Sequence, residues 1–216
     1  MTKLNILYED NHIIVVVKPA GILSQKVKPQ DIDMLTLIKN YIKEKYNKPG
    51  NVYLGLVHRL DRPVSGIMVF AKTSKAAARL SKQITNNEMK KNYYAIIEGY
   101  LKEKSGTLKD KIEKIDNKRV LLNTQNGKEA ILNYKVIKEK GDLSFVDIEL
   151  VTGRYHQIRL QFSSRNHPLI ADALYGKQIN HDICLCAYKL AFKHPTTKEL
   201  LIFEIKPKGK IWEGFI

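Results

Sequence analysis

The sequence is poor in cysteine and lacks long apolar runs, and each shortage excludes a class of protein. Cys184 and Cys186 are the only cysteines in 216 residues, so a disulfide-stapled scaffold is excluded. We expect both to be buried thiols in a reducing compartment. No apolar run reaches the roughly 18 residues that a membrane-spanning helix needs. The opening segment, Met1–Asn5, is unlike a signal peptide. The sequence therefore predicts a cytoplasmic protein with no membrane segment.

Ligand-binding patterns are also missing. The 12 glycines form neither a P-loop nor the dinucleotide-binding pattern, and the cysteine pair has no second pair of metal ligands nearby. We therefore expect no cofactor and no metal. Four of the six histidines lie near turns or strand ends without partners in register, and we interpret them as structural: His12, His167, His181 and His194.

Positive charge is what the sequence has in excess. Lys and Arg number 37 against 22 acidic residues, which gives a net charge of +15 and a pI near 9.6. Such a balance favours a polyanionic partner, most often nucleic acid, although a general lysine bias would produce the same excess. Arginine itself is scarce, and five of the seven arginines fall within 59–62 and 154–165. Because arginine suits bidentate binding of carboxylate or phosphate, this clustering indicates a chemical requirement.

Periodicity predicts more strands than helices, in an order without regular βαβ alternation. We expect strands over 6–8, 13–18, 67–71, 93–98, 131–137, 145–150, 185–192 and 200–205, and helices over 34–46, 74–84 and 152–163. Ser74 is the expected cap of the second helix. The polar segment 100–128 is an expected elaboration of short hairpin-like strands with a turn at Asn126-Gly127. Trp212 and the C-terminal tail are expected to pack on the body. The pattern predicts an α+β protein with a large, mostly antiparallel sheet, forming one catalytic domain over residues 1–216.

The first candidate site segment runs from His58 to Gly66 and reads His-Arg-Leu-Asp-Arg-Pro-Val-Ser-Gly. Its carboxylate, Asp61, lies between Arg59 and Arg62 and is followed directly by a predicted strand. Loops carried by a rigid strand are where catalytic groups concentrate. A surface ion-pair cluster is the alternative interpretation on spacing alone.

The second candidate segment, 151–162, carries Arg154, His156 and Arg159. If a helix begins at Thr152, His156 and Arg159 share one of its faces, and its N-terminus favours a nearby anion. Arg159 could then meet the Asp61 carboxylate and fix its orientation. A solvated basic helix face is the alternative.

Together these segments resemble the signature motifs of the RluA-type pseudouridine synthases. The resemblance rests on His58–Asp61 with Ser65-Gly66, on Thr152–Arg154, and on His156–Arg159. It extends to further segments in the same order over about residues 5–205: 7–21, Lys91–Ala95 with Gly99, and Asp172 with Tyr175-Gly176.

The resemblance implies the pseudouridine synthase fold, a mixed sheet with flanking helices and an active-site cleft. It implies isomerisation of uridines in rRNA or tRNA, with the target base flipped out. Asp61 becomes the essential catalytic aspartate, Tyr93 the ring that stacks on the base, and Arg159 the partner of Asp61. Arg59 matches a residue that displaces the target nucleotide. Substrate binding is then expected from a set of five residues: His58, Arg59, Arg62, Arg154 and His156.

Three positions depart from the family pattern. Val64 stands in place of a usual Thr, Tyr155 in place of Ser or Thr, and Gln161 in place of a common His. None removes a catalytic group, so they affect specificity.

Two other functions stay open: a non-catalytic RNA-binding or ribosome-assembly factor, and a metal-independent nuclease that uses His58 and His156. Nothing in the sequence demands more than a monomer.

Overall fold

The computed structural model describes residues 4–116 and 120–216. Residues 1–3, which belong to the opening segment Met1–Asn5, lie outside the described residues. So do residues 117–119, which include Arg119, one of the two arginines outside the clusters at 59–62 and 154–165. The chain divides into two compact units. Unit 1 comprises residues up to Met89 together with Lys189–Ile205, and unit 2 comprises Lys90–Tyr188 together with Lys206–Ile216. A single catalytic domain over 1–216 stays a prediction.

Strands outnumber helices in the described ranges. The strands are β1 Asn5–Glu9, β2 Ile13–Lys18, β3 Gly55–Leu56, β4 Ser65–Ala71, β5 Lys90–Glu98, β6 Ser105–Lys114, β7 Val120–Leu122, β8 Lys128–Lys140, β9 Leu143–Leu150, β10 Leu185–Lys193 and β11 Leu200–Glu204. The helices are α1 Met34–Lys45, α2 Ser74–Thr85, α3 Gln157–Ser163 and α4 Lys210–Glu213. The strand-rich α+β class is confirmed. The sequence did not predict the short elements β3 and α4.

Unit 1 is built on the antiparallel pair of β2 and β4. Val15 lies opposite Val69 in their register, and β1 and β3 add further antiparallel pairs. Both strands are apolar runs buried on both faces, which is why they lack a polar alternation. One face packs with α2 in a hydrophobic core. Its buried members are Ile13, Val15, Ile67, Val69, Ala71, Ala76, Leu80, Met89, Leu190 and Phe192.

Both long helices of unit 1 begin at a side-chain cap. Asp33 accepts a hydrogen bond from the main-chain N–H of Thr36 at 3.0 Å, and Thr73 accepts one from Ala76 at 3.1 Å. The prediction that Ser74 is the cap of α2 is wrong by one residue. Thr73 takes the extended conformation of a cap, and Ser74 is the first helical residue.

Unit 2 contains an antiparallel strand order β5-β9-β8-β6-β7. The predicted elaboration over 100–128 is therefore part of the sheet. Its main strand, β6, is ten residues long rather than short, because it pairs with β8 on one side and β7 on the other. Most of its side chains are exposed, so the sequence lacks the alternation of apolar and polar residues that predicts a strand. The turn predicted at Asn126-Gly127 forms one residue earlier: the Gly127 N–H donates to the Thr124 carbonyl at 3.2 Å, so Gln125 and Asn126 are its central residues.

Several smaller expectations are also confirmed. Trp212 is buried with its edge on Phe145, so the C-terminal tail packs on unit 2. Both cysteines are buried, and burial raises the pKa of the Cys184 thiol to about 12. His194 pairs with Asp10 at 2.8 Å, which is a structural role. None of the helices described over 4–116 and 120–216 is long and apolar enough to cross a membrane.

Candidate active site

In unit 1, Asp61 lies in the loop between β3 and β4, which we call the aspartate loop (residues 57–64). Its side chain is half-buried. The preceding residue, Leu60, is held at both main-chain groups by Ser24, a residue only 3% exposed. The Leu60 N–H donates to Ser24 Oγ at 3.0 Å, and the hydroxyl donates to the Leu60 carbonyl at 2.8 Å. Because a double hydrogen bond fixes the neighbouring peptide, the position of Asp61 is set by a residue 37 positions earlier in the sequence.

The other side of the aspartate loop is anchored by a buried lysine. Lys18 is fully buried, and its ammonium donates to the carbonyls of Pro19 (2.9 Å), Ile22 (2.6 Å) and Arg62 (3.1 Å). Arg62 also exchanges hydrogen bonds with Gly21: its carbonyl accepts the Gly21 N–H at 2.9 Å, and its Nε donates to the Gly21 carbonyl at 3.0 Å. A buried charge needs such compensation. Arg62 therefore ties the loop to the turn after β2.

His58 ends the pairing of β3 with β4. The two strands pair only at Gly55–Ala71 and Leu56–Phe70, and the Val69 N–H instead donates to His58 Nε2 at 3.0 Å. An Nε2 that accepts a hydrogen bond carries no proton, so a neutral His58 has its proton on Nδ1. A concavity of about 210 Å³ adjoins the ring and is lined by Gln25, Leu56, Val57, His58 and Arg59. Arg59 itself is exposed.

In unit 2, Tyr93 lies in the middle of β5, opposite Ile148 of β9. Its side chain is only 6% exposed. Alternation along the strand places Tyr93 on the same face as Lys91, whereas Tyr94 lies on the other face. The Tyr94 ring stacks on Tyr188 with 3.5 Å between centroids. The two adjacent tyrosines therefore have separate surroundings, and only Tyr93 shares a face with Lys91.

The segment from Thr152 to His156 is a loop rather than the beginning of a helix, so the prediction of a helix over 152–163 is wrong at its start. Helix α3 covers only Gln157–Ser163, and His156 is its cap in a left-handed conformation (φ 52°). The physical reason is the set of hydrogen bonds around Gln157. Its Oε1 accepts from the Thr152 hydroxyl and the Arg154 N–H, both at 2.9 Å, and its Nε2 donates to the Ile131 carbonyl at 3.1 Å. The expected helix N-terminus at Thr152, and the helix face on which His156 and Arg159 would both lie, are therefore wrong.

Arg159 forms a buried bidentate pair with Asp172. Its Nε and Nη2 donate to the two carboxylate oxygens at 2.8 and 2.7 Å, and the two residues are 5% and 0% exposed. Burial alone raises the pKa of Asp172, but the hydrogen bonds and charge of Arg159 outweigh it and hold that pKa below its usual range. Asp172 thus fixes the plane of the guanidinium. The family resemblance includes Asp172 but implies no role for it.

His156 lies within a group of aromatic rings. Its ring stacks on Tyr155 with 3.8 Å between centroids, and Nδ1 is 2.9 Å from the Tyr175 hydroxyl. The Lys114 ammonium lies 4.6 Å from the centre of the Tyr155 ring, and Arg159 lies over the Tyr175 ring at 5.2 Å. Tyr155, which departs from the family pattern, therefore packs directly against a predicted substrate-binding residue.

The predicted site residues fall into one group in each unit. His58, Arg59, Asp61 and Arg62 follow one another in unit 1, and unit 2 holds Tyr93, Arg154, His156 and Arg159. The predicted pairing of Arg159 with Asp61 stays a prediction. Sequence reasoning missed Ser24, Gln157 and the partner role of Asp172. Among residues 4–116 and 120–216, no group of three or more His, Cys, Asp or Glu side chains could hold a metal ion.

Comparison with known families and proteins gives a consistent result. A family model described as RNA pseudouridylate synthase matches residues 12–164. The chain is 38% identical over 212 residues to an uncharacterized RNA pseudouridine synthase of Bacillus subtilis, YhcT, covering 94% of this chain and 68% of that protein. It is 35% identical to the dual-specificity RNA pseudouridine synthase RluA of Haemophilus influenzae, covering 94% and 93%, and 32% identical to the RluA of Pasteurella multocida with the same coverage.

A solved structure supports the fold. The structure of human RNA pseudouridylate synthase domain containing 4 matches with a TM-score of 0.79 at 20% identity, over 94% of this chain and 88% of that one. The expected pseudouridine synthase fold is therefore confirmed.

Proposed function

This chain belongs to the RluA-type family of RNA pseudouridine synthases, and on that premise we propose that it converts uridines in ribosomal or transfer RNA to pseudouridine. The observation that carries the proposal is the family match over residues 12–164, which includes both candidate groups. Two similar proteins are named dual-specificity RNA pseudouridine synthases. The excess of positive charge suits an RNA substrate.

Asp61 is the proposed catalytic carboxylate. The reaction breaks the C1′–N1 bond of uridine and forms a C1′–C5 bond, while C5 loses a proton and N1 gains one, so no redox equivalent is consumed. An ionised carboxylate beside the sugar or the base can add covalently or remove a proton. The double hydrogen bond of Ser24 and the Lys18 anchor support this role, because a catalytic group must be held in position.

Tyr93 and Arg159 are the proposed catalytic partners of Asp61. Tyr93 would stack on the target base and could move the C5 proton through its hydroxyl. Arg159, fixed in its plane by Asp172, would provide the positive charge that pairs with the catalytic aspartate. Tyr93→Phe separates the two functions of the tyrosine, since it keeps the ring and removes only the hydroxyl.

The five further residues, His58, Arg59, Arg62, Arg154 and His156, are proposed to bind or displace the target nucleotide. Arg59 is suited to filling the place of a flipped base, because it is exposed and lies beside the concavity of the aspartate loop. His58 and His156 are each held by a hydrogen bond, to Val69 and Tyr175, which fits a supporting role. Cytoplasmic location and a monomeric state stay predictions.

The function is tested by incubating the protein with unmodified transcripts of tRNA and rRNA and measuring pseudouridine by mass spectrometry. We expect product in at least one RNA class and intact RNA on a denaturing gel. Cleaved RNA without pseudouridine would instead support the nuclease, and a variant with both His58→Ala and His156→Ala would then abolish cleavage. RNA binding without either product would support the non-catalytic factor.

A further inference from the structure

Lys91 is a half-buried cation that the proposed chemistry does not use. It lies on β5, two residues before Tyr93 and on the same face of the strand. Its ammonium reaches the exposed main chain of Gly153, where it lies 3.6 Å from the position that a Cβ atom would occupy. The strand that carries the proposed base-stacking ring therefore also places a positive charge beside the Thr152–His156 loop.

A second cation, Arg154, follows directly after Gly153. Burial lowers the pKa of Lys91, and the positive charge of Arg154 lowers it further. Across residues 4–116 and 120–216, no hydrogen bond or ion pair from the Lys91 ammonium to a carbonyl or carboxylate is formed. Two neighbouring cations without an acid between them raise the free energy of the folded protein, and a bound anion would offset that cost.

The hydrogen bonds of Arg154 orient its side chain without neutralising it. Its Nε donates to the Glu129 carbonyl at 2.8 Å, and its main-chain N–H donates to Gln157 Oε1 at 2.9 Å. Both acceptors are uncharged. The guanidinium is therefore held by one edge, in an arrangement that suits binding an oxyanion with its other nitrogens.

We propose that Lys91, Arg154 and the open surface of Gly153 form a binding site for one phosphodiester group of the RNA, next to the uridine that stacks on Tyr93. The inference rests on the proposed function, because RNA supplies the phosphate. Lysine binds phosphate as a point charge and arginine binds it as a planar fork. Here the Lys91 ammonium lies near Gly153, and Arg154 is the next residue in the chain. Gly153 leaves space over the ammonium that any larger side chain would narrow.

Three small probes test the site directly. Uridine 5′-monophosphate, inorganic phosphate and uridine are titrated into ¹⁵N-labelled protein, and the amide shifts of Gly153 and Arg154 are followed by NMR. We expect saturable shifts with the two phosphates and none at these positions with uridine. A larger affinity for the nucleotide than for inorganic phosphate supports a nucleic-acid site. Equal shifts with all three probes would overturn the proposal.

Two variants and one matched control complete the test. Lys91→Met keeps the length of the side chain and removes its charge, and Gly153→Asp places a carboxylate beside both cations. We expect each to weaken nucleotide binding about 10-fold or more. Lys90→Met is the control, because Lys90 lies on the opposite face of β5 and pairs with Glu149 at 3.0 Å on the surface. The control should keep wild-type affinity.

Stability separates this role from a structural one. Since Lys91 is repelled by Arg154, Lys91→Met should leave the melting temperature unchanged or raise it, while a structural lysine would lower it. Filter binding to a tRNA transcript at several salt concentrations should show a slope about 0.7–0.9 smaller for Lys91→Met than for wild type. A lower melting temperature with unchanged slope would overturn the proposal.

The binding measurements test the phosphate site whether or not the protein forms pseudouridine. Phosphate binding that depends on Lys91, in a protein that forms no pseudouridine, would contradict the proposed function and leave the site established. Pseudouridine formation with no effect of Lys91→Met or Gly153→Asp on binding would contradict the site and leave the function established.

Discussion

The two chain segments that carry the predicted functional residues other than Tyr93 are held in different ways. The aspartate loop of unit 1 is fixed largely through its main chain, by Ser24 on the peptide groups of Leu60 and by Lys18 on the Arg62 carbonyl. Two of its own side chains, His58 and Arg62, add one hydrogen bond each. The corresponding region of unit 2 is fixed through side chains, by the Arg159–Asp172 pair and by the hydrogen bonds of Gln157.

This difference determines which substitutions should destabilise each segment. A loop held largely by its main chain depends mostly on the anchors outside it, here Ser24 and Lys18. A side-chain network depends on each member, because removal of one partner leaves a buried charge or polar group unpaired. The four predictions that follow test this contrast.

The largest effect is expected for Asp172→Ala. It removes the carboxylate that accepts two hydrogen bonds from the buried Arg159 guanidinium, and loss of one member of a buried ion pair typically costs about 3–5 kcal/mol. Denaturant unfolding measures the change in the free energy of unfolding. Glu149→Ala is the control, since its pair with Lys90 lies on the surface and is worth about 1 kcal/mol or less. Equal losses of unfolding free energy in the two variants would contradict the stabilising role of the buried pair.

The pH dependence of the same pair sharpens this prediction. The pKa of Asp172 is lower in the folded protein than in the unfolded chain, so its stabilising contribution is present above the unfolded pKa. That contribution is lost as pH falls through the folded pKa. The difference in free energy of unfolding between wild type and Asp172→Asn should therefore shrink from pH 6 towards pH 2. A difference that stays constant over this range would contradict the ion pair.

The next effect is expected for Lys18→Met. The variant removes the donor to three carbonyls beside the aspartate loop. We expect a loss of about 2 kcal/mol because the Pro19 and Ile22 carbonyls lose their donor and the Arg62 carbonyl keeps only the Gly21 N–H. Thermal unfolding at neutral pH measures it. Lys26→Met, at an exposed position, should change stability by about 0.5 kcal/mol or less. A wild-type melting temperature in Lys18→Met would show that the loop does not need its anchor.

The sequence predicts the interior of unit 1 well and the second loop poorly. Strand β2 matches its predicted bounds of 13–18 because a continuous run of β-branched residues followed by Pro19-Ala20-Gly21 is unambiguous. The helix over 152–163 is shortened because Thr152 and Arg154 bond to Gln157, and no local pattern reveals that competition. Helical spacing cannot show that His156 takes a left-handed conformation.

Partnerships between distant residues lie beyond sequence patterns for a related reason. Asp172 is 13 residues from Arg159, and Ser24 is 36 residues from Leu60, so neither contact has a period or a spacing. Local periodicity reports only which face of an element is buried. The candidate catalytic residues came from a family resemblance, whereas the residues that hold them came from the structure.

The smallest of these effects is expected for Ser24→Ala. Removing the hydroxyl leaves the Leu60 main-chain groups without their partner and should cost about 1–2 kcal/mol. The rate of pseudouridine formation should fall more than RNA affinity does, because the change acts on the position of Asp61. Ser81→Ala, at an exposed position of α2, is the control for both readouts. A loss of affinity with an unchanged rate would contradict this role of Ser24.

The central claim is that Asp61 performs the chemistry of an RNA pseudouridine synthase. Its most direct test is a single-turnover measurement of pseudouridine formation by wild type and Asp61→Asn on the same transcript, with RNA affinity measured in parallel. Because amide and carboxylate have nearly the same shape, we predict that the variant binds RNA with wild-type affinity and forms no detectable pseudouridine. Pseudouridine formation by Asp61→Asn at a rate near that of wild type would contradict the claim.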